Sequence, residues 1–165
     1  MYNFAPAAPD EPIVYGSARP KRPDEADGDP VGQWLAYVSD RGIRRVVCLL
    51  DQSEVDRYDG LLQRYAEHFG ADRVRHVPIP DFTVISPAQY EAEIHPFLRE
   101  AAAVEEPVVV HCAGGVGRTG QVLTRWLVLE RGYSLDQAIS TVRDAGRDPL
   151  EAASRADIAA GLSGR

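Results

Sequence analysis

At 165 residues the chain is the size of one ordinary domain, and its 44% hydrophobic content is enough for a sizeable core. A formal net charge of -7 excludes broad-face attraction to nucleic acid or anionic membrane, so any positive site must be local. Two cysteines make no disulfide framework, no apolar run approaches a membrane span and the N-terminus lacks a signal-peptide pattern. The expectation is a soluble cytoplasmic monomer without nucleic-acid or membrane partners. Lys21 is the only lysine among 18 Lys+Arg, and an acidic, nearly lysine-free surface points to a salt-adapted organism, although GC-rich coding would favour arginine too.

Residues 1–12, rich in Pro and Ala, read as an irregular N-terminal arm, with a single domain over 13–165. A short strand over 13–16 leads into a polar, proline-studded loop, 17–30. From Pro30 to Arg41, Trp34, Leu35 and Val38 share one helical face, and Gly42 suits its stop. Residues 44–51 form a continuous apolar strand. Leu61, Leu62, Tyr65 and Phe69 repeat at helical spacing, and 73–79 alternates as a strand.

Helical pattern resumes after Pro87 through Ala101, with Pro96 placed to kink it. The most apolar strand is 106–112. A helix follows to Arg131, then a Ser134-capped helix over 134–145 and a last candidate near 149–160. Alternating strands and helices predict an α/β domain, a mainly parallel central sheet flanked by helices, with ligands gathering at the carboxyl ends of the strands.

One such end carries "VVVHCAGGVGRTGQV" (108–122). Gly115-x-Gly117-x-x-Gly120 fits a dinucleotide fingerprint. That reading needs a second strand after the helix and an acidic residue to hold a ribose, and only helical pattern remains before the terminus. Cys112, five residues, then Arg118 fits a thiolate cradle for phosphate. The N–H groups of Ala113, Gly114, Gly115, Val116, Gly117 and Arg118 can curl around an anion. The glycines allow the unusual dihedrals, and the helix beginning near Arg118 adds its positive end. Such a setting favours the thiolate, the form that attacks. Arg118 supplies a planar fork for two phosphate oxygens, and Thr119 is placed to hydrogen-bond the sulfur. His111, just before Cys112, is expected to orient the loop.

"HCAGGVGRT" resembles the HCxxGxxR(S/T) signature of the cysteine-dependent protein tyrosine phosphatases, and the chain is most similar to their small atypical dual-specificity branch. "VYGSARP", "RRVVCLLD", "IPDFTVISPAQY" and "AISTVRDAGRDPLEA" have counterparts in order, so the resemblance covers roughly residues 12 to 155. It implies a phosphocysteine mechanism with no metal or cofactor. Cys112 is the nucleophile, Arg118 and the loop amides hold the phosphoryl group, and an aspartate on a mobile upstream loop is the general acid. Asp81 in "IPDF", 31 positions before Cys112, fits that place; Asp51, at another strand end, is its rival. The implied substrates are phosphotyrosine, alone or together with phosphoserine and phosphothreonine, in proteins or peptides.

Arg147 either borders the phosphate pocket, as similar arginines in the family do, or, like Arg143, is a solvated helix-end charge. Cys48 is either core or a thiol that captures an oxidised Cys112, as in some relatives. The uncharged loop residues disfavour inositol polyphosphates. An RNA 5′-phosphatase and a thiol-based arsenate reductase, with Cys48 as redox partner, stay open.

Overall fold

In the computed structural model, described over residues 1–162, five strands form one sheet: β1 (Ala5–Pro6), β2 (Val14–Ala18), β3 (Arg45–Cys48), β4 (Val74–His76) and β5 (Val108–Cys112). Their order is β1-β2-β5-β3-β4. All neighbours run parallel except β1, which adds antiparallel to β2. Every residue of β3 and β5 is buried, as expected for strands covered on both faces.

Alternation along β5 feeds two cores. Val108, Val110 and Cys112 join one with Tyr90, Ile94, Leu98, Leu123 and Trp126. Val109 joins the other with Trp34, Cys48, Leu61 and Tyr65. The first face is covered by α5 (His95–Ala103), α6 (Gly117–Arg131) and α7 (Leu135–Asp144), the second by α1 (Pro30–Asp40) and α3 (Leu61–Phe69). Among the described residues no helix is long and apolar enough to cross a membrane.

Three local departures from the sequence reading have physical reasons. First, the N-terminal residues read as an irregular arm are pinned to the domain. Ala5–Pro6 pairs with β2, Ala7 and Ala8 are buried, and the Ala7 N–H donates to Val14 O at 2.9 Å. Glu11 accepts from the Ile13 and Val14 N–H groups, Trp126 Nε1 and Arg131. Burial alone would raise its pKa; Arg131 and these donors together hold it below the usual value.

Second, the helix after Pro87 is interrupted by a π turn at Tyr90–Ile94, directly before α5. Pro96 has no N–H to give residue 92, and its ring crowds that carbonyl; a wider turn absorbs both. Third, the candidate helix near 149–160 is helical only at Arg155–Ala159, where Ser154 and Asp157 form a capping box.

Candidate active site

β5 ends at Cys112, and α6 begins at Gly117, so residues 113–116 form a tight loop at the carboxyl end of the central strand. Gly115 has φ +73°. A Cβ there would lie 2.6 Å from the Ser17 backbone, so both dihedral and space demand glycine. Cys112 is 3% exposed, and its Sγ accepts from Thr119 Oγ1 at 3.1 Å.

Arg118 is 2% exposed. Its Nη1 and Nη2 grip both oxygens of Glu54 at 2.7 and 3.1 Å, and Nη1 also donates to Ile79 O at 2.8 Å. Asp81 Oδ1 lies 3.3 Å from Nη2. Nε is buried and has no partner among the described residues. Burial works against the charged guanidinium, but Glu54, Cys112 and Asp81 outweigh it and raise the pKa. The fork is thereby fixed in orientation with one N–H left for an anion.

Glu54 was not legible as a site residue. The signal was a capping box, Asp51-Gln52-Ser53-Glu54, at the start of the short helix α2 (Gln52–Val55). The same box engages one of the two rival acids. Asp51 Oδ1 accepts from the Ser53 hydroxyl at 2.7 Å and the Glu54 N–H at 2.9 Å, and these donors, Ser53 foremost, hold its pKa down. Asp51 is engaged in the cap, whereas Asp81 is half-exposed beside Arg118.

Asp81 sits on a loop whose next residue, Phe82, is 67% exposed at φ +57°. Gln121, buried on α6, clasps that loop from below: it accepts from the Ile85 N–H at 2.9 Å and donates to Thr83 O at 3.1 Å. Gln121 is one of several buried polar residues of this helix, with Arg118, Thr124 and Arg125, so the sequence did not set it apart.

Arg147 does not line the pocket. It is buried behind the loop, where Nη1 donates to Gly115 O at 2.6 Å and Nη2 to Gly16 O at 2.9 Å. Burial pushes its pKa down to about 10, with Cys112 opposing. Arg143 is the solvated one, half-exposed against Asp148 at 3.2 Å.

A family model described as "Polymorphic toxin system, DSP-PTPase phosphatase" matches residues 22–132, a span that contains Glu54, Asp81, Cys112 and Arg118. The chain belongs to this family. Dual specificity protein phosphatase OPG106 of Vaccinia virus (strain Western Reserve) is 35% identical over 60 residues, 36% of this chain and 35% of that protein. Dual specificity protein phosphatase Mpk3 of Drosophila melanogaster is 35% identical over 72 residues, 44% of this chain and 18% of that protein. The matched stretches therefore span about a third or less of these relatives' lengths.

Among solved structures, Tk-PTP in its active form superposes with a TM-score of 0.73 at 29% identity, covering 93% of this chain and 92% of that one. PTPMT1 in complex with PI(5)P gives a TM-score of 0.71 over 96% of each chain, at 13% identity, a likeness of fold alone.

In this DSP-PTPase family member, His111 is fully buried, and its Nδ1 lies 3.2 Å from Cys112 O. A carbonyl only accepts, so Nδ1 carries the proton and Nε2 accepts from Tyr65 Oη at 3.0 Å. Burial foremost pushes the ring's pKa down to about 4, against the pull of the Cys112 carbonyl. His111 is thus a neutral strut. Between about pH 6.5 and 4 the unfolded chain binds a proton here that the folded chain refuses. Stability is therefore full above that window and is lost as pH falls through it, by roughly 3 kcal/mol. Urea midpoints against pH are expected to fall less steeply in His111→Gln than in wild type; parallel curves would remove His111 from the account.

The redox reading of Cys48 meets a geometric obstacle. Cys48 pairs with His111 across the sheet and packs into the core on the side of Trp34, while Cys112 packs into the opposite one. Burial pushes the Cys48 thiol up to about 12, so it is also a poor nucleophile. After mild peroxide and then thiol reductant, wild type and Cys48→Ser should recover equally. Recovery confined to wild type, with an intramolecular disulfide by mass spectrometry, would reverse this. The same geometry deprives an arsenate reductase mechanism of its resolving cysteine.

Proposed function

We propose that the chain hydrolyses phosphate monoesters on proteins, phosphotyrosine and also phosphoserine or phosphothreonine, through a phosphocysteine intermediate. The observation that carries this reading is the Thr119-to-Cys112 hydrogen bond beside a buried, oriented Arg118 with a partnerless Nε. The Cys112 thiolate attacks phosphorus. The N–H groups of residues 113–118 and Arg118 hold the phosphoryl oxygens as charge redistributes. Asp81 protonates the departing oxygen, then takes a proton from the water that attacks phosphocysteine. Thr119 stabilises the sulfur as it leaves. The positive field comes from Arg118 and the amides, so the mechanism calls for no metal.

The protein-substrate reading rests on an uncharged loop, Ala113 to Gly117, and on the exposed Phe82 next to Asp81, an apolar surface suited to a side-chain ring. It is tested with peptides of identical flanks carrying phosphotyrosine, phosphoserine or phosphothreonine, set against a phosphoinositide and a 5′-phosphorylated RNA. Peptides should turn over fastest. Asp81→Asn should lower kcat on peptides by roughly 100-fold or more. It should affect p-nitrophenyl phosphate less, because that leaving group needs little protonation. Preference for the lipid or RNA would overturn the substrate assignment, and equal losses on both ester types would overturn the role of Asp81.

A further inference from the structure

We propose that Asn3 is a positioning residue of the phosphate loop: its side-chain amide holds the Gly114 and Gly115 carbonyls outward, and so aims the following N–H groups at the bound anion. The proposal rests on the phosphatase reading above for its consequence in catalysis, but the anion-binding part stands apart from turnover.

Asn3 Nδ2 lies 3.3 Å from Gly114 O, 3.4 Å from Gly115 O and 3.0 Å from Gly146 O. A trans peptide unit is planar, with C=O and N–H on opposite sides. Fixing the carbonyls of Gly114 and Gly115 away from the loop centre therefore fixes the N–H groups of Gly115 and Val116 towards it. The need is local. Glycines at 114, 115 and 117 leave these peptide planes with little intrinsic preference, so the orientation has to come from outside the loop. Arg147 supplies one part, donating to Gly115 O at 2.6 Å, and reaches Asn3 O with Nη2 at 2.9 Å. Asn3 supplies the other. With both donors present, the two lone pairs of Gly115 O are occupied.

The arm is built to hold Asn3 there. Tyr2 and Asn3 both adopt left-handed dihedrals, φ +59° and +51°, which asparagine tolerates and tyrosine does not readily. The turn is held by Ala18 N donating to Tyr2 O at 2.6 Å and by Phe4 N donating to Met1 O at 3.3 Å. On either side of Asn3, rings anchor the chain: Tyr2 meets Tyr37 edge-on with centroids 5.1 Å apart, and Phe4 stacks on Tyr15 at 5.4 Å. Gly146 leaves the room; a Cβ there would come within 2.6 Å of Asn3 Oδ1.

Two variants separate the amide from the backbone. Asn3→Gly keeps the left-handed turn and removes the donor. Asn3→Asp keeps the shape and sets a carboxylate against three carbonyl oxygens. The readout is alkylation of Cys112 by iodoacetamide across pH, with and without inorganic phosphate as protecting anion. Thermal midpoints serve as the folding control.

In Asn3→Gly, the phosphate concentration that half-protects Cys112 should rise about fivefold, the worth of one net hydrogen bond. In Asn3→Asp it should rise further. In both, the pH at which Cys112 becomes reactive should move up, because fewer N–H dipoles point at the sulfur. Unchanged protection and an unchanged pH profile, whether or not the thermal midpoint falls, would overturn the proposal. Turnover of phosphopeptides is scored separately on wild type. Its absence there would overturn the phosphatase reading, while alkylation still decides on Asn3.

Discussion

Cys112→Ser is expected to abolish turnover of p-nitrophenyl phosphate, by roughly four orders of magnitude or more, while phosphate binding survives. The argument is one of nucleophile and surroundings. The hydroxyl is close in shape to the thiol, so the loop, the Thr119 contact and the Arg118–Glu54 pair have no reason to move. What changes is the attacking group, because serine stays protonated at neutral pH and, among the described residues, the side chain hydrogen-bonded to this position is the Thr119 hydroxyl, not a base. His111, the adjacent imidazole, is turned into the other core, with both ring nitrogens committed to Cys112 O and Tyr65. The same property predicts a trapped intermediate. Wild type quenched during turnover should carry a phosphoryl adduct on the peptide containing Cys112, and the serine variant should carry none. Substantial residual turnover in Cys112→Ser would falsify the thiolate mechanism.

The part of this site legible in the sequence is the part encoded locally. Val108 to Thr119 carries its own strand, loop and helix start, and the continuous apolar runs at 46–50 and 108–110 announce a sheet covered on both faces. Asp81 was singled out from the resemblance of its loop, and it lies 3.3 Å from Arg118.

Glu54, Gln121 and Asn3 were not reachable, because each acts across the fold. The Arg118–Glu54 pair spans 64 residues of chain, and the Asn3–Gly115 contact spans 112. Only the packing of separate elements brings such partners together. Glu54 belongs to a capping box, and capping gives no hint that the same carboxylate also takes an arginine on both oxygens. Arg143 and Arg147 show the same limit. As helix-end arginines they are indistinguishable in sequence, yet one faces solvent and the other lies under the loop. Pro96 was legible as a disturbance, but the π turn just before it, whose ends Tyr90 and Ile94 are buried in the core, was not.

Arg118→Lys is expected to fail nearly as badly as Arg118→Ala, although it keeps the charge. In the wild type one planar group performs two tasks at once. Nη1 and Nη2 are held by Glu54 at 2.7 and 3.1 Å, which leaves Nε aimed by that grip. An ammonium is a single point; it can sit against Glu54 or against a phosphoryl oxygen, and the partly buried carboxylate competes for it. The change also strips Ile79 O of its donor at 2.8 Å. Losing two charge-assisted hydrogen bonds, Nε to the anion and Nη1 to Ile79 O, at about 1.5–3 kcal/mol each corresponds to a fall in kcat/KM of roughly 100- to 10,000-fold. Glu54→Gln should fall less, since the amide keeps one acceptor and the shape of the contact. The measurement is kcat/KM on p-nitrophenyl phosphate and on a phosphotyrosine peptide, with thermal midpoints to exclude unfolding. A folded lysine variant that retains more than about a tenth of wild-type kcat/KM would reduce Arg118 to a point charge. The orientation imposed by Glu54 would then have no bearing on catalysis.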